Sequence, residues 1–430
     1  MNKSNTFQLI LLFIFGAAAV VSVLIFSGII PGFKKTSVGS AGTVVIWGTV
    51  DENLLTRDFA DLNKKNEDKF LLSYVRKNPA TFESELTNAL ASGTGPDMII
   101  ASHEVILQQR ERLYPFPAEY YPKRNFYDTF VDGARLFEIG EAYYALPIGV
   151  DPLVLYYNKD IYTTNGLPLP PKTWEELVRN QPKLTILDDN NNLLQSAIAL
   201  GTFFNVNHAK DIFSLLLLQA GNPIVYQSNG AIKQTLAENL GYSIMPTQAA
   251  LEFFVQFADP AKVTYSWHRS WAESRNSFLA GKLANYFGPA SEYLYLKNKN
   301  PHLNFDVTEV PQQNLQKRQT FGRFYGLAIM RNSSRLTATL SAVYALAISD
   351  KAENIARAFS LQPVKRNTLL LGSANPYTQI FHEAALIARA WLDFNSTANA
   401  KVFSDLVDNY SSGRLRVDLA IKEAASLLNK

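Results

Sequence analysis

Residues Tyr143 to Lys159 read YYALPIGVDPLVLYYNK, and this stretch decides the fold. Pro147, Gly149 and Pro152 interrupt an otherwise apolar and aromatic run. Leu153, Val154, Leu155, Tyr156 and Tyr157 form a strong β-type sequence. Proline and glycine punctuate a chain where it bends or changes layer. The spacing predicts a strand that crosses from one lobe to another, with Asp151 exposed at the bend. A two-lobed binder with its ligand held between the lobes follows from that reading.

Working back toward the N-terminus, TVVIWG at 43–48 is a short buried strand. Leu55, Phe59 and Leu62 fall at helical spacing, with Asp51 available as a cap. Phe70 to Val75 reads as a strand, Phe82 to Ala91 as a helix ending at Gly93, and PDMIIA at 96–101 as a strand. A short helix starts at His103. Alternating strand and helix is the pattern of an open, mostly parallel α/β sheet. Such sheets hold ligands at the carboxyl ends of their strands, here Gly48 to Asp51 and Ser102-His103-Glu104.

Toward the C-terminus, Thr173-Trp174-Glu175-Glu176 is a capping box. Helices are predicted over Ala209–Ala220, over Pro246–Ala258 with proline in its first turn, and over Ser270–Ala280. Leu283–Phe287, Asn304–Pro311 and Arg323–Met330 read as strands, Leu336–Ile348 as a helix, and the chain from Ala352 on as helical. No internal repeat is present.

A chain of 430 residues suggests about two to three domains. Cysteine is absent, which excludes disulfides, thiolate metal sites, a cysteine nucleophile and a cysteine-linked lipid anchor. Phe7 to Ile30 carries no charge in 24 residues. A membrane-spanning helix needs about 20 such residues, whereas a cleavable signal has an apolar core of about 7–15. Ala17-Ala18-Ala19 offers a cleavage site, but Val20 to Phe26 continues the apolar run, so an uncleaved anchor is the expectation. Pro31 to Gly42 reads as a linker. The net charge of +3 comes from Lys3, Lys34 and Lys35; beyond residue 42, 38 basic residues face 38 acidic ones. A neutral folded part argues against nucleic acid as a partner.

Catalytic signatures are missing. The chain has no nucleophile elbow and no phosphate-binding loop. Its five histidines are scattered, so neither a metal nor a cofactor is expected. What remains is a set of aromatic and small polar residues at strand and helix ends. They are Trp47, Phe203-Phe204-Asn205, Tyr265, Trp267, His268, Trp271, Tyr286-Phe287-Gly288 and Phe324-Tyr325. Aromatic faces stack on sugar rings while small polar groups bond hydroxyls, although each aromatic taken singly also reads as core. Glu104 and Asp151 read as ligand contacts or, equally, as helix caps or surface charges.

In order along the chain, TVVIWG, ALASGTGPDMII at 90–100, YALPIGVDPLVLYYNKD at 144–160, PPKTWEEL at 170–177, LLLLQAG at 215–221 and FLAGKLANYFG at 278–288 resemble the extracellular solute-binding proteins of family 1. NFDVTEVPQ and GRFYGLAIM extend the resemblance over nearly all of 43–430. These are the substrate-capturing subunits of ABC importers and include the maltose-binding type. The resemblance implies a two-lobed periplasmic-binding-protein-like α/β fold with a multi-strand hinge. It places Trp47, Asp51, Ser102, His103, Glu104 and Asp151 on one side of the cleft or at the hinge. It places Phe204, Asn205, Trp267, Trp271, Tyr286, Phe287, Gly288, Phe324 and Tyr325 on the other side or at the hinge. One departure is that Gly288 is followed by Pro289-Ala290, where many relatives carry a tryptophan.

The expected layout is an N-terminal transmembrane helix (1–30), a linker (31–42), a first lobe (43–150, continued at 325–350) and a second lobe (151–324, continued at 351–430). The expected function is capture of a small solute, a sugar or oligosaccharide, for an ABC permease. The expected protein is monomeric, without enzymatic activity, and held at the cell membrane through residues 7–30 with its soluble domain outside. Alternatives from other classes are a tethered glycan-processing enzyme using Glu104 and Asp151, and a solute sensor or adhesion module.

Overall fold

The computed structural model describes residues 42–117, 120–228 and 231–428. The expected anchor at 7–30 and all of the expected 31–42 linker but Gly42, which opens the first strand, lie outside them. Among the described residues no helix is long and apolar enough to cross a membrane.

The first unit runs β1 (Gly42–Gly48), α1 (Thr56–Lys65), β2 (Phe70–Arg76), α2 (Phe82–Ala91), β3 (Met98–Ser102) and α3 (His103–Gln108). Leu55, Phe59 and Leu62 are buried on the inner face of α1 as their spacing predicts. Asp51 caps the turn before it by accepting from the Asn53 N–H at 3.0 Å. β2, β1 and β3 are parallel.

β4 (Leu146–Asn158) is the crossing strand. Leu146, Ile148 and Val150 pack in one core with Ile46, Ile99, Phe137, Phe324 and Leu346. Leu153, Val154, Leu155 and Tyr156 pack in another with Trp174, Phe213, Leu251, Phe278 and Phe403. The strand runs unbroken through Pro152 and changes neighbours there.

The second unit adds α4 (Trp174–Leu184), β5 (Leu193–Ile198), α5 (Ala209–Gln219), α6 (Pro246–Val255), α7 (Ser274–Leu279), β6 (Leu283–Pro289), β7 (Phe305–Thr308) and β8 (Thr320–Ile329). Up to Pro152, β4 pairs antiparallel with β8; beyond it, with β6 and β7. β8 in turn pairs with β3, so the sheet order is β2-β1-β3-β8-β4-β6-β5 with the short Ile186–Leu187 strand at the edge. The expected mostly parallel sheet is parallel across β2-β1-β3 and between β6 and β5; the crossing strands and the edge strand make the whole mixed. α7 starts at Ser274 rather than Ser270. At α4 the capping box is shifted: Thr173 Oγ1 accepts from Glu176 N–H at 3.1 Å, but Glu176 Oε2 accepts from Lys172 N–H at 2.7 Å.

The C-terminal part holds α8 (Leu336–Ile348), α9 (Pro376–Ile387), α10 (Ser396–Ser411) and α11 (Val417–Leu427). β8 also crosses between cores, with Phe321 in the second and Phe324 in the first. Ile355, Val364 and Leu369 still pack in the first core. At α9, Phe381 and Ala384 pack in the second core.

Gly133 sits where these crossings meet. A Cβ there would lie 2.3 Å from Phe324 Cζ and 2.4 Å from the Ala388 carbonyl oxygen. Because one obstacle is backbone, Gly133→Ala is expected to cost about 1–3 kcal/mol as an overpacked site. Urea unfolding measures it; a cost below about 0.5 kcal/mol would mean that this junction is loosely packed.

Candidate functional site

Three sets of elements meet between the two cores: the carboxyl end of β3, the middle of β4 and β8, and the segments entering α5 and leaving β6. Their side chains form one charged network. α5 is apolar along most of its length, yet Lys210 and Asp211 stand in its first turn. Lys210 Nζ donates to Glu104 Oε1 on α3, to Asp393 Oδ2 at 2.7 Å and to Ser396 Oγ at 2.6 Å. Arg323, on β8, lies 2.9 Å from Glu104 Oε2 and 3.1 Å from Asp211 Oδ2. One network thus spans α3, α5, β8 and the segment before α10.

Electrostatics follow from this geometry. Burial pushes the Glu104 carboxyl up, but Arg323 and Lys210 overcome it and hold Glu104 well below the usual carboxylate range. Burial depresses Lys210, and Glu104 and Asp393 reverse that, leaving it raised. Asp393 is raised, because its burial outweighs the attraction of Lys210.

Asp151 is not exposed at a bend. It is half-buried in mid-strand, and its carboxylate accepts from the Ser291 N–H at 3.0 Å and the Ser291 hydroxyl at 2.6 Å. Burial raises it to about 6 against those two hydrogen bonds. Ser291 and Glu292 form the short turn after β6. Glu292 accepts from the Tyr286 hydroxyl at 2.6 Å and from Arg275 at 2.9 Å, and lies 3.0 Å from His208 Nε2.

Of the residues nominated from sequence, Glu104, Asp151, Tyr286 and Tyr325 therefore converge. Tyr325 feels the charges of Arg323, Asp151, Glu104 and Asp211, and Ser102 pairs with it across β3 and β8. Trp47 and Asp51 lie together at the end of β1. The Lys77 ammonium sits 3.8 Å from the Trp47 ring centroid, and Arg76 pairs with Asp51 at 3.4 Å. Phe204 is 77% exposed, with its ring free to stack.

The others are structural. Asn205 is a buried hub: it accepts from Trp267 Nε1 at 2.9 Å and donates to the carbonyls of His268 and Trp271 at 3.0 Å each. Trp267 is fully buried, and Trp271 packs against it edge to face. Phe287 packs on Trp174, and Phe324 fills the first core beside Gly133. A Cβ on Gly288 would meet Tyr286 and Glu292. His103 is fully buried beside Phe321, and burial lowers it to about 4. These side chains are committed to packing or to internal hydrogen bonds.

Sequence reading missed Lys77, His208, Lys210, Asp211, Ser291, Glu292, Arg323 and Asp393. One signal for three of them was present: a Lys-Asp pair opening an apolar helix, and an arginine inside a strand, both need buried partners. Among the described residues no cluster of histidine and carboxylate groups is placed to hold a metal ion.

The profile of the bacterial extracellular solute-binding protein family matches residues 59–375. The maltotriose-binding protein of Pyrococcus abyssi is 29% identical over 166 residues, 38% of this chain and 35% of that protein. A putative binding protein of Brucella abortus (strain 2308) is 29% identical over 111 residues, 25% of this chain and 26% of its own length. The chain thus matches between a quarter and about a third of the length of these curated relatives. A cyclo/maltodextrin-binding protein solved with maltotetraose has a similar fold, with a TM-score of 0.71 at 15% identity, covering 90% of this chain and 97% of that one. The GacH receptor of Streptomyces glaucescens, solved unliganded and with acarbose, gives a TM-score of 0.65 at 18% identity over the same shares. Two cores joined by crossing strands, together with a family match over most of the chain, make this protein a member of the bacterial extracellular solute-binding family.

Proposed function

We propose that the protein captures an uncharged sugar or oligosaccharide between its two lobes and delivers it to an ABC permease without chemical change. The observation that carries this is β4: one strand shared by two cores, with the polar network gathered at its midpoint. A strand that changes neighbours at Pro152 suits hinge closure, in which ligand binds the closed state better and shifts the population toward it. We take residues up to about 150, with 325 to about 375, as the first lobe, and the rest of the folded part as the second. Asp51 on one side and Phe204 on the other supply the walls; Trp47 is buried in the first core with Lys77 over its ring. Glu104, Asp151 and Tyr325 line the floor. The apolar segment at 7–30 would hold this domain at the outer face of the cell membrane. Relatives named for maltotriose and neighbours solved with maltotetraose and acarbose support the sugar class. The glycan-processing alternative gains nothing from Glu104 and Asp151, since the first is locked in ion pairs and the second holds Ser291.

Calorimetric titration of the purified protein with maltotriose, maltotetraose, cyclic glucans, monosaccharides, amino acids and short peptides tests this. Burying one phenylalanine ring is worth about 1.5–3 kcal/mol, so Phe204→Ala is expected to weaken the active sugar about tenfold to a hundredfold without changing the melting temperature. Binding confined to peptides or amino acids would discard the sugar. Unchanged affinity in Phe204→Ala would remove this residue from the site.

A further inference from the structure

A cavity of about 330 Å³ opens on the seam between the two cores, and none of its lining residues belongs to the site above. From the first core come the segment Asp132–Glu138 and Tyr127; from the second come Val225, Trp391 and Leu392, with Arg389 between them. Three guanidinium groups converge on a single carboxylate here. Asp132 pairs with Arg366 at 2.6 Å, Arg135 at 3.1 Å and Arg389 at 3.1 Å. Glu138, the other acid in the lining, is taken by the Tyr127 hydroxyl at 2.6 Å and by Lys123 at 3.0 Å. One negative charge thus answers three positive ones.

The arginines are held, not loose. Arg135 lies over the Tyr127 ring at 4.1 Å, Arg366 Nε donates to the Tyr127 carbonyl at 3.3 Å, and Arg389 Nη1 donates to the Ala388 carbonyl at 2.9 Å. Among the described residues each keeps N–H donors without a partner, since a guanidinium offers five. Burial lowers Arg389 below its usual range, and although Asp132 opposes this, the neighbouring Arg366 and Arg135 charges add to it. The cluster is short of negative charge.

We propose that this seam binds a small oxyanion of the phosphate class, gripped by Arg135 and Arg389 with Arg366 behind Asp132. Guanidinium forks match tetrahedral oxyanions in geometry as well as charge. The group bridges the first core to the returning segment at 388–392, so its occupancy ties together parts that hinge motion would separate. The chemistry fits free phosphate and the phosphoryl group of a small ester alike.

Calorimetry on the purified full chain, at fixed ionic strength with chloride as reference, tests this with inorganic phosphate and glycerol 3-phosphate in separate arms. Saturable binding of at least one is expected, weakened about tenfold or more in Arg135→Gln through loss of a charge-assisted partner. Arg135→Lys, which keeps the charge and loses the fork, is expected to fall between. The tighter arm identifies the source. Arg135 is half exposed, so this variant keeps its fold; unchanged far-ultraviolet circular dichroism verifies that. No binding above chloride in either arm overturns the proposal. So does binding that Arg135→Gln leaves unchanged, because the anion then sits elsewhere. Neither outcome depends on the sugar reading.

Discussion

Lys210→Ala is expected to lower the free energy of unfolding by about 3–5 kcal/mol, the cost of removing one partner from a buried ionic cluster. The Lys210 side chain is 10% exposed, and its partners Glu104 and Asp393 are 10% and 1% exposed. Without the ammonium, Asp393 keeps, among the described residues, hydrogen-bonding neighbours such as the Asn399 amide at 2.6 Å. Among the described residues, Glu104 keeps Arg323 alone as a cation at its carboxylate. Urea unfolding reads the loss as a lower midpoint at unchanged slope. Lys210→Met combined with Asp393→Leu removes both charges and should recover much of the loss, since apolar replacement of a buried pair is often neutral or better. A single-variant loss under about 1 kcal/mol, the range of solvent-exposed pairs, would show that the network is hydrated and does not lock α3 to α5.

The second large effect is a pH dependence hidden in the wild type. His103 is fully buried and lowered to about 4 from its ordinary 6.5. Below pH 6.5 the unfolded chain binds a proton there that the folded chain refuses, so stability falls as pH drops from 6.5 toward 4. By linkage the loss is on the order of 3 kcal/mol. Asp151 works in the opposite sense. It is raised to about 6 from 3.8. Its contribution is fully present below pH 3.8 and is lost as pH rises through 6, again on the order of 3 kcal/mol. Between pH 4 and 6 the folded state carries its proton on Asp151 and the unfolded state carries one on His103. Proton counts match for this pair, so its combined contribution to stability is expected to be nearly flat there. Asp151→Asn should uncover a steep loss on acidification, and His103→Leu a gain. Urea midpoints at pH 4.5, 5.5 and 6.5 test this. Parallel curves for wild type and both variants would sink it.

Much of the fold was legible locally. Val44, Ile46, Phe59 and Leu62 announce strand and helix by their periods, Gly93 and Gly221 end helices at positive φ, and the Leu336–Ile348 helix has the bounds its apolar run suggests. Pro147, Gly149 and Pro152 marked the crossing strand, because a β-type run with breakers in mid-course has few other uses. The return through β8 and α9 was less readable. Phe381 and Ala384 on one face of α9 serve the second core, while Ala385, on the next, serves the first. Helical periodicity reports that a face is buried, not which core covers it.

The candidate site divides in the same way. Asn205 and Trp267 looked like ligand residues because an aromatic and an amide near helix starts satisfy the same pattern whether they meet a sugar or each other. Composition and order along the chain by themselves determined an α/β protein of two lobes joined by β4, neutral beyond residue 42 and free of thiol chemistry. Only the tertiary structure decided which charges are spent and which are free. Glu104, Lys210, Arg323 and Asp393 lie between 70 and 289 residues apart in sequence, taken pairwise, yet share one network. Coulomb attraction and desolvation depend on distance through space and on burial; neither quantity is written along the chain.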